Sequence, residues 1–299
     1  MIIPPYLGPG DTIAIIGMAG KVRKEDIGIA SEKFRSWGLK VEVGKHIYDQ
    51  QNKYAGTDEA RQEDFQLALN NPNVKAIIAA RGGYGSNKII ENIEWDSFHE
   101  NPKWIIGLSD ITIVLGEVYR QGVASIHGPM PSFFGWDGIQ SSLLKLNKLL
   151  FGNPPIIENP PSELNIPGKT EGILIGGNLS ILASMIGTRS DFEYKDKILV
   201  LEEISEPQYK VDRMLSQLDR SGKIRELKGL VCGHFTNCDD DVEFGKSAYE
   251  IVKEYTSKYN IPTAFNFPIG HEPESFPVII GGEYRLEIND EISTLAFIR

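Results

Sequence analysis

The sequence is poor in the residues that build metal sites and disulfide frameworks. It has two cysteines and five histidines in 299 residues. Cys232 and Cys238 lack the CxxC spacing of a zinc or redox site, and two cysteines are too few for a disulfide framework. No two histidines stand in the HxH or HxxxH spacing that is typical of zinc ligands. We therefore expect no metal and no other cofactor.

The sequence also lacks an excess of basic residues and any long apolar run. Its formal net charge is -10, whereas binding to nucleic acid or to an anionic membrane surface needs a basic face. No stretch approaches the roughly 20 apolar residues of a membrane span, and the first residues carry no basic signal-peptide region. We expect no nucleic-acid partner, no membrane partner and a cytoplasmic location.

Short apolar runs and helical patterns alternate along the first half of the chain. Thr12–Ile16 and Trp104–Gly107 are continuous apolar runs, and Val74–Ala80 is apolar apart from Lys75. Such runs are typical of strands buried on both faces. Apolar residues at helical spacing follow the strands, as in Ala60–Leu69 and Asp110–Arg120. This alternation predicts an α/β fold whose N-terminal part is a mostly parallel sheet flanked by helices.

A proline-rich segment predicts a domain boundary. Residues 151–169 contain five prolines, and such a segment is not expected to keep a strand ladder or a helix for long. We predict an N-terminal α/β domain at residues 1–152, a linker at residues 153–169 and a C-terminal domain at residues 170–299. That second domain is predicted to be mixed α/β with antiparallel strands, because its last two strands are joined by a hairpin-like turn. A long helix is expected over Phe244–Tyr259.

Ser109 directly follows the strand Trp104–Gly107, at the corner where a helix begins. In an open parallel sheet, ligands bind beyond the carboxyl ends of the strands. Helix N–H groups at such a corner favour the negative charge of an acyl-transfer intermediate, which makes Ser109 a candidate nucleophile. Ser is also a preferred helix N-cap residue, and the pattern alone favours that simpler role. A GxSxG motif is absent, because Ile111 holds the second Gly position.

Two glycine-rich corners are able to bring backbone N–H groups close to a ligand. The RGGYG motif, residues 81–85, lies between a predicted strand and a predicted helix. It fits a phosphate cradle, an oxyanion donor or a plain turn, and it matches neither GxGxxG nor a P-loop. The GGNLS motif, residues 176–180, is a similar corner, where a helix cap by Asn178 is the simplest interpretation.

The second half supplies an acid and a base. The apolar strand Ile198–Leu201 ends in Glu202 and Glu203, and adjacent strand residues point to opposite faces, so at most one of them faces a given site. His271 lies in a loop rich in Gly and Pro, where exposure to solvent is the simpler expectation. Together with Ser109, these residues form the inventory of a Ser-His-acid hydrolase in the chain order Ser, Glu, His.

Together with the segments quoted below, these motifs make the chain resemble a known family, the LD-carboxypeptidases. These are serine peptidases that include the murein tetrapeptide carboxypeptidases and the microcin-immunity hydrolases. The resemblance runs from about Gly10 to His271 and therefore covers most of the chain. The matching segments, in the order of the family, are GDTIAII, ARGGYGS, IIGLSDIT, HGPM, GILIGGNLS, LVLEEISEPQYKVDRMLSQL and FPIGH.

The resemblance implies a role for each candidate residue. Ser109 is similar to the family's nucleophile, His271 to its general base, and Glu202 to the acid that orients the base, with Glu203 as the alternative acid. The backbone N–H groups of Gly83 and Asp110 would be the oxyanion donors. Arg81 is a candidate for binding the terminal carboxylate of the substrate.

The resemblance also implies a reaction. The expected function is hydrolysis of the amide bond that releases terminal D-alanine from murein tetrapeptide in peptidoglycan recycling, so the partner would be a murein peptide or another small peptide-like substrate. One alternative is a microcin-immunity-type hydrolase of aminoacyl-nucleotide analogues. The other is a non-catalytic small-molecule binding protein in which Ser109 is only a cap. A homodimer is expected as the assembly.

Overall fold

The computed structural model describes residues 1–239 and 242–299. The strands are β1 (Thr12–Ile16), β2 (Lys40–Val43), β3 (Val74–Ala79), β4 (Trp104–Gly107), β5 (Ser125–His127), β6 (Ile157–Asn159), β7 (Gly168–Asn178), β8 (Ile198–Ile204), β9 (Gly229–Thr236), β10 (Thr263–Ala264), β11 (Val278–Ile280), β12 (Glu283–Ile288) and β13 (Ser293–Phe297). The α-helices are α1 (Lys24–Ser36), α2 (Asp58–Asn70), α3 (Asp96–Glu100), α4 (Thr112–Arg120), α5 (Gln140–Leu150), α6 (Leu179–Met185), α7 (Gln208–Arg220) and α8 (Ala248–Ser257). None of the helices in this described part is both long and apolar enough to cross a membrane.

The first sheet has the strand order β11-β5-β4-β3-β1-β2. Strands β1 to β5 pair in parallel, and β11 adds to β5 in the antiparallel direction. β1 and β4 are buried along their whole length, which explains why their sequences are continuous apolar runs rather than alternating ones. The prediction of a mostly parallel N-terminal sheet is confirmed.

The second sheet has the order β10-β9-β8-β7-β12-β13-β6. Strands β7 to β10 pair in parallel, whereas β12, β13 and β6 pair antiparallel. The predicted mixed α/β character with an antiparallel end is thus confirmed. The carboxyl ends of β4 in the first sheet and of β8 in the second carry the residues discussed below.

Part of the predicted linker is a strand. Within residues 153–169, Ile157–Asn159 forms β6 at the edge of the second sheet, and β7 begins at Gly168. The prolines flank the three strand residues and do not interrupt them, and an edge position tolerates them because one side of the strand needs no ladder. Since β11 of the C-terminal half also completes the first sheet, the two sheets are interlinked, and the boundary at residues 153–169 stays a prediction.

Two helix predictions need correction. The expected helix over Phe244–Tyr259 begins at Ala248, because Ser247 and Glu250 form a capping box in which each side chain binds the backbone N–H of the other. After the RGGYG motif there are two short 3₁₀ turns, Ser86–Lys88 and Ile90–Asn92, in place of a regular helix. The first of these turns is held by a side chain of the next segment, as described below.

Candidate active site

Ser109 lies at the sharp turn between β4 and α4. Its φ angle is +63°, a left-handed conformation that L-residues rarely adopt and that is concentrated at functional sites. The N-cap of the 3₁₀ turn Ser109–Ile111 is Leu108 and that of α4 is Ile111, and within the described chain neither start has a side-chain cap. The interpretation of Ser109 as a helix cap is therefore wrong. Its half-buried side chain stands on a strained strand-to-helix corner, as in a nucleophile elbow.

Two glycines approach this corner too closely for a side chain to fit. A Cβ at Gly82 would lie 2.9 Å from Ser109 Cβ, and one at Gly177 would lie 2.6 Å from Thr112 Oγ1. The N–H of Asn178 donates to the same Thr112 oxygen at 3.1 Å. Both glycine-rich motifs therefore reach the corner formed by Ser109 and Thr112, one from each half of the chain. Asn178 also caps α6 through its side chain, as its sequence context indicated.

Gly83 and Asp110, the predicted oxyanion donors, lie on two segments that are tied together at this corner. The Gly82 carbonyl accepts a hydrogen bond from the Gly20 N–H at 2.9 Å, and because the trans peptide is planar, this bond fixes the plane that contains the Gly83 N–H. The Asp110 carboxylate accepts from the Ser86 N–H at 2.9 Å and from Ser86 Oγ at 2.7 Å. Asp110 and Ser86 are buried, so they anchor the glycine loop to the turn that carries Ser109.

His271 and Glu202 form a buried pair. Nδ1 of His271 is 2.7 Å from Oε2 of Glu202, and the two residues are 8% and 0% exposed. The expectation of a solvent-exposed His271 is therefore wrong. Gly270 makes the approach possible, because its φ is +136° and a Cβ there would lie 3.2 Å from Glu202 Oε2. With Nδ1 bound to the carboxylate, the other ring nitrogen is the one available to accept a proton.

The charge of Glu202 controls the titration of His271. Burial lowers the pKa of His271, but the adjacent Glu202 carboxylate outweighs burial, and the pKa lies above its ordinary value of 6.5. Burial likewise acts to raise the pKa of Glu202, yet the His271 and His127 imidazoles reverse this and bring it to about 2. Glu202 is thus ionised at neutral pH, which is the state that an acid needs to orient a base.

Glu203 makes different contacts. Its Oε1 accepts from Asn178 Nδ2 and its Oε2 accepts from the Ser180 N–H, at 2.8 and 2.7 Å. Burial, followed by the negative charge of Glu202, raises the pKa of Glu203 to about 7. Glu203 therefore stabilises the start of α6, whereas Glu202 holds the histidine.

The loop that carries His271 is anchored on α5, which belongs to the first half of the chain. Ser142 Oγ donates to the Pro273 carbonyl at 2.7 Å and accepts from the Ser275 N–H at 2.8 Å. The Phe133 ring lies next to the imidazole, with a centroid distance of 6.0 Å. Side chains of the half that carries Ser109 thus contact His271 and its loop.

His127 has no role predicted from the sequence, although it lies in the matching segment HGPM. The structure places this histidine at the end of β5, fully buried, with Nε2 3.8 Å from Oε1 of Glu202. His127 could have been identified from the sequence, because it ends an apolar strand that follows the strand leading to Ser109.

Arg81, the candidate carboxylate-binding residue, is exposed next to the glycine loop, and its Nη1 donates to the Lys21 carbonyl at 3.1 Å. Neither Arg81 nor the nearby Lys21, Lys53 and Lys88 has a carboxylate within 4.0 Å among residues 1–239 and 242–299. Lys53 instead lies over the ring of Tyr84, 4.9 Å from its centroid. These cations are available to an anionic ligand at the rim of the corner.

Comparisons with known proteins point to one family and one fold. The model of the LD-carboxypeptidase N-terminal domain matches residues 13–128, and that of the C-terminal domain matches residues 171–286. The probable murein peptide carboxypeptidase of Bacillus subtilis is 31% identical over 98% of this chain and 93% of its own length. The muramoyltetrapeptide carboxypeptidase of Oxalobacter formigenes superposes with a TM-score of 0.88 at 29% identity, over 96% and 99% of the two chains. An MccF-like protein of Bacillus anthracis gives 0.89 at 27% identity, over 100% and 99%.

Proposed function

Because the chain belongs to the LD-carboxypeptidase family, we propose that it is a serine carboxypeptidase that releases the terminal D-alanine of murein tetrapeptide. The observation that carries this proposal is the buried pair of His271 and Glu202, 2.7 Å apart, in a chain that presents Ser109 on a strained strand-to-helix turn. Relatives and solved structures of the family are named as murein peptide carboxypeptidases. The chain is an enzyme of this class, so a purely non-catalytic binding role is not retained.

The proposed reaction begins with attack by Ser109 Oγ on the carbonyl carbon of the scissile amide. His271 accepts the hydroxyl proton, and Glu202 stabilises the imidazolium that forms. The N–H groups of Gly83 and Asp110 would bind the oxyanion of the tetrahedral intermediate. When the C–N bond breaks, the imidazolium gives its proton to the amine of the departing D-alanine. Water then hydrolyses the acyl-enzyme with His271 again as the base.

Selection of a free terminal carboxylate needs a cation near the corner, and Arg81 is our candidate. Its guanidinium is exposed on the residue that precedes Gly82, whose backbone abuts Ser109. A guanidinium can bind a carboxylate through two parallel hydrogen bonds. Lys53 and Lys88, which lie over the rings of Tyr84 and Tyr54, add positive charge near the glycine loop. In a chain with a net charge of -10, this local excess supports an anionic substrate.

The direct test is release of D-alanine. We expect the purified full-length protein to release D-alanine from murein tetrapeptide in a chromatographic or coupled oxidase assay. A matched tetrapeptide that ends in L-alanine should be cleaved far more slowly, since the proposed bond joins an L-centre to a D-residue. Cleavage of both peptides at equal rates would contradict the assignment, and so would the absence of release from either.

A second candidate function is hydrolysis of an aminoacyl-nucleotide analogue. It is favoured by the similarity to the MccF-like protein of Bacillus anthracis, which extends over the whole chain. The same serine, histidine and glutamate would serve both reactions, so only the substrate distinguishes them. Hydrolysis of an aminoacyl sulfamoyl nucleoside without any release of D-alanine from the tetrapeptide would select this second function.

The raised pKa of His271 predicts the pH dependence of the reaction. A protonated imidazole cannot accept the Ser109 proton, so kcat/KM should fall as the pH drops through the pKa of His271 in the free enzyme. Because the Glu202 carboxylate raises that pKa above 6.5, we expect the midpoint of the acid limb to lie above pH 6.5. A pH profile of D-alanine release measures it, and a midpoint below pH 6.5 would show that burial outweighs the carboxylate.

The proposal includes a cytoplasmic location. Cys232 and Cys238 are buried and free, as is usual in a reducing compartment. Assembly as a homodimer stays a prediction.

A further inference from the structure

His127 faces the Glu202 oxygen that His271 does not use. His127 and Glu202 are both fully buried, and His127 Nε2 lies 3.8 Å from Glu202 Oε1. Within residues 1–239 and 242–299, neither Glu202 Oε1 nor either ring nitrogen of His127 has a hydrogen-bond partner. A buried ring nitrogen and a buried carboxylate oxygen that both lack a partner and lie 3.8 Å apart call for an explanation, because buried polar groups are otherwise satisfied.

The position of His127 in the first sheet gives this contact its significance. β5 lies between β4 and β11, and His127 is paired with Gly107 on one side and Val278 on the other. Gly107 stands two positions before Ser109 on the nucleophile strand. The imidazole therefore projects from the strand beside the nucleophile toward the acid of the other sheet. A bond between His127 and Glu202 would set the position of the acid and base relative to the serine.

We propose that His127 is a positioning residue for the hydrolysis. Its Nε2–H donates to Glu202 Oε1 in the enzyme–substrate complex, so that Glu202 is held between two imidazoles and keeps Oε2 on His271 Nδ1. A displacement of less than 1 Å converts the present separation into a hydrogen bond, and catalytic hydrogen bonds are commonly long before substrate binds. The inference rests on the proposed serine chemistry but not on the identity of the peptide substrate.

The surroundings of Glu202 give no equally placed substitute among the described residues. Glu203, on the same strand, binds Asn178 and the Ser180 N–H. The backbone of His234 on β9 lies beside Gly270, but in the described part of the chain the ion pairs of Glu202 within 4.0 Å are those with His127 and His271, and His234 is not among them. A carboxylate with one free oxygen can rotate and lose its alignment with the imidazole, which is what a second donor prevents.

The test compares three variants of the full-length protein. His127→Leu removes the donor, His127→Gln supplies an amide N–H near the position of Nε2, and His99→Leu repeats the first change at an exposed histidine. We expect His127→Leu to lower kcat for D-alanine release by roughly 10- to 100-fold, as loss of an outer hydrogen-bond partner commonly does, with little change in KM. His127→Gln should recover most of the loss, and His99→Leu should match the wild type.

Two readouts separate positioning from packing and from substrate identity. The rate of Ser109 labelling by a fluorophosphonate should fall in parallel with kcat, and it needs no peptide. The downfield proton resonance of His271 Nδ1–H, assigned by its loss in Glu202→Gln, should shift in His127→Leu and return in His127→Gln. In the wild type, ¹⁵N spectra of histidine should show that His127 carries its proton on Nε2. This measurement does not depend on the folding of any variant.

The proposal is overturned if His127→Leu reacts with the fluorophosphonate and releases D-alanine at the wild-type rates. It is also overturned if the leucine and glutamine variants are equally impaired with an unmoved His271 resonance, or if His127 is protonated on Nδ1. If labelling depends on His127 while the wild type releases no D-alanine, the inference stands and the proposed substrate is wrong. If D-alanine is released and labelling does not depend on His127, the proposed substrate is right and the inference about His127 is wrong.

Discussion

Ser109→Ala is expected to abolish D-alanine release while the protein remains folded. Removing the nucleophile of a serine hydrolase costs on the order of 10⁴- to 10⁶-fold in kcat, because no hydroxyl remains for the base to deprotonate and no acyl-enzyme can form. Labelling by a fluorophosphonate should disappear with activity. The unfolding midpoint should change little, since alanine removes only the Oγ of a half-buried side chain.

Ser125→Ala is the matched control for this prediction. Ser125 lies on the neighbouring strand β5, and its buried Oγ makes no hydrogen bond within the described part of the chain, so its loss should leave turnover within about twofold. A further variant, Ser109→Gly, should be as inactive as the alanine variant but no less stable. Glycine relieves the strain at a φ of +63°, which offsets its greater freedom in the unfolded chain. Residual turnover near the wild-type level in Ser109→Ala would rule out the serine mechanism.

The sheets were predictable from the sequence because strands buried on both faces consist of runs of apolar residues. β1 and β4 are continuous apolar runs, and β3 is apolar apart from the exposed Lys75. Each of the three ends within one residue of its predicted limit. The hairpin of β12 and β13 was equally visible through its turn. Strands of this kind are determined locally, so a reading of neighbouring residues suffices.

Elements that depend on distant partners were not predictable in the same way. β6 exists because β13 provides a ladder for three residues between prolines. The 3₁₀ turn at Ser86–Lys88 exists because Asp110, 24 positions further on, binds Ser86. The start of α8 is a different case, since Ser247 and Glu250 form a capping box that is legible in the sequence.

The candidate site also has features that could be predicted from the sequence and features that depend on distant contacts. Ser109, Glu202 and His271 could be named because the family motifs place them, but the local pattern favoured a cap for the serine and exposure for the histidine. The close approach of Gly82 to Ser109 and the burial of His271 against Glu202 and Phe133 involve residues that lie far away in sequence. Contacts that a local pattern does not contain therefore determine the surroundings of these side chains.

Glu202→Gln is expected to lower kcat by about 10³- to 10⁴-fold. The amide carries no charge to stabilise the imidazolium, and if its N–H group faces Nδ1 it selects the tautomer that cannot accept the Ser109 proton. Glu203→Gln should leave kcat within about threefold, because Glu203 contacts Asn178 and Ser180 rather than His271. Measuring D-alanine release for the two variants side by side tests the assignment of the acid, and the opposite ranking would transfer the role to Glu203.

The two glutamates should also differ in how stability depends on pH. The pKa of Glu203 is raised from 4.5 to about 7 in the folded protein, so the folded state binds this proton more tightly than the unfolded chain does. Its contribution to stability is complete below pH 4.5 and is lost as the pH rises to about 7, with an upper limit of about 3 kcal/mol. The contribution of Glu202 to stability changes with pH in the opposite direction, because its pKa is lowered to about 2. This contribution is present above pH 4.5 and is lost as the pH falls.

Urea unfolding at pH 5 and pH 8 should therefore show the wild type losing stability relative to Glu203→Gln as the pH rises. An unchanged difference would mean that the Glu203 carboxylate is already ionised in the folded protein at pH 5.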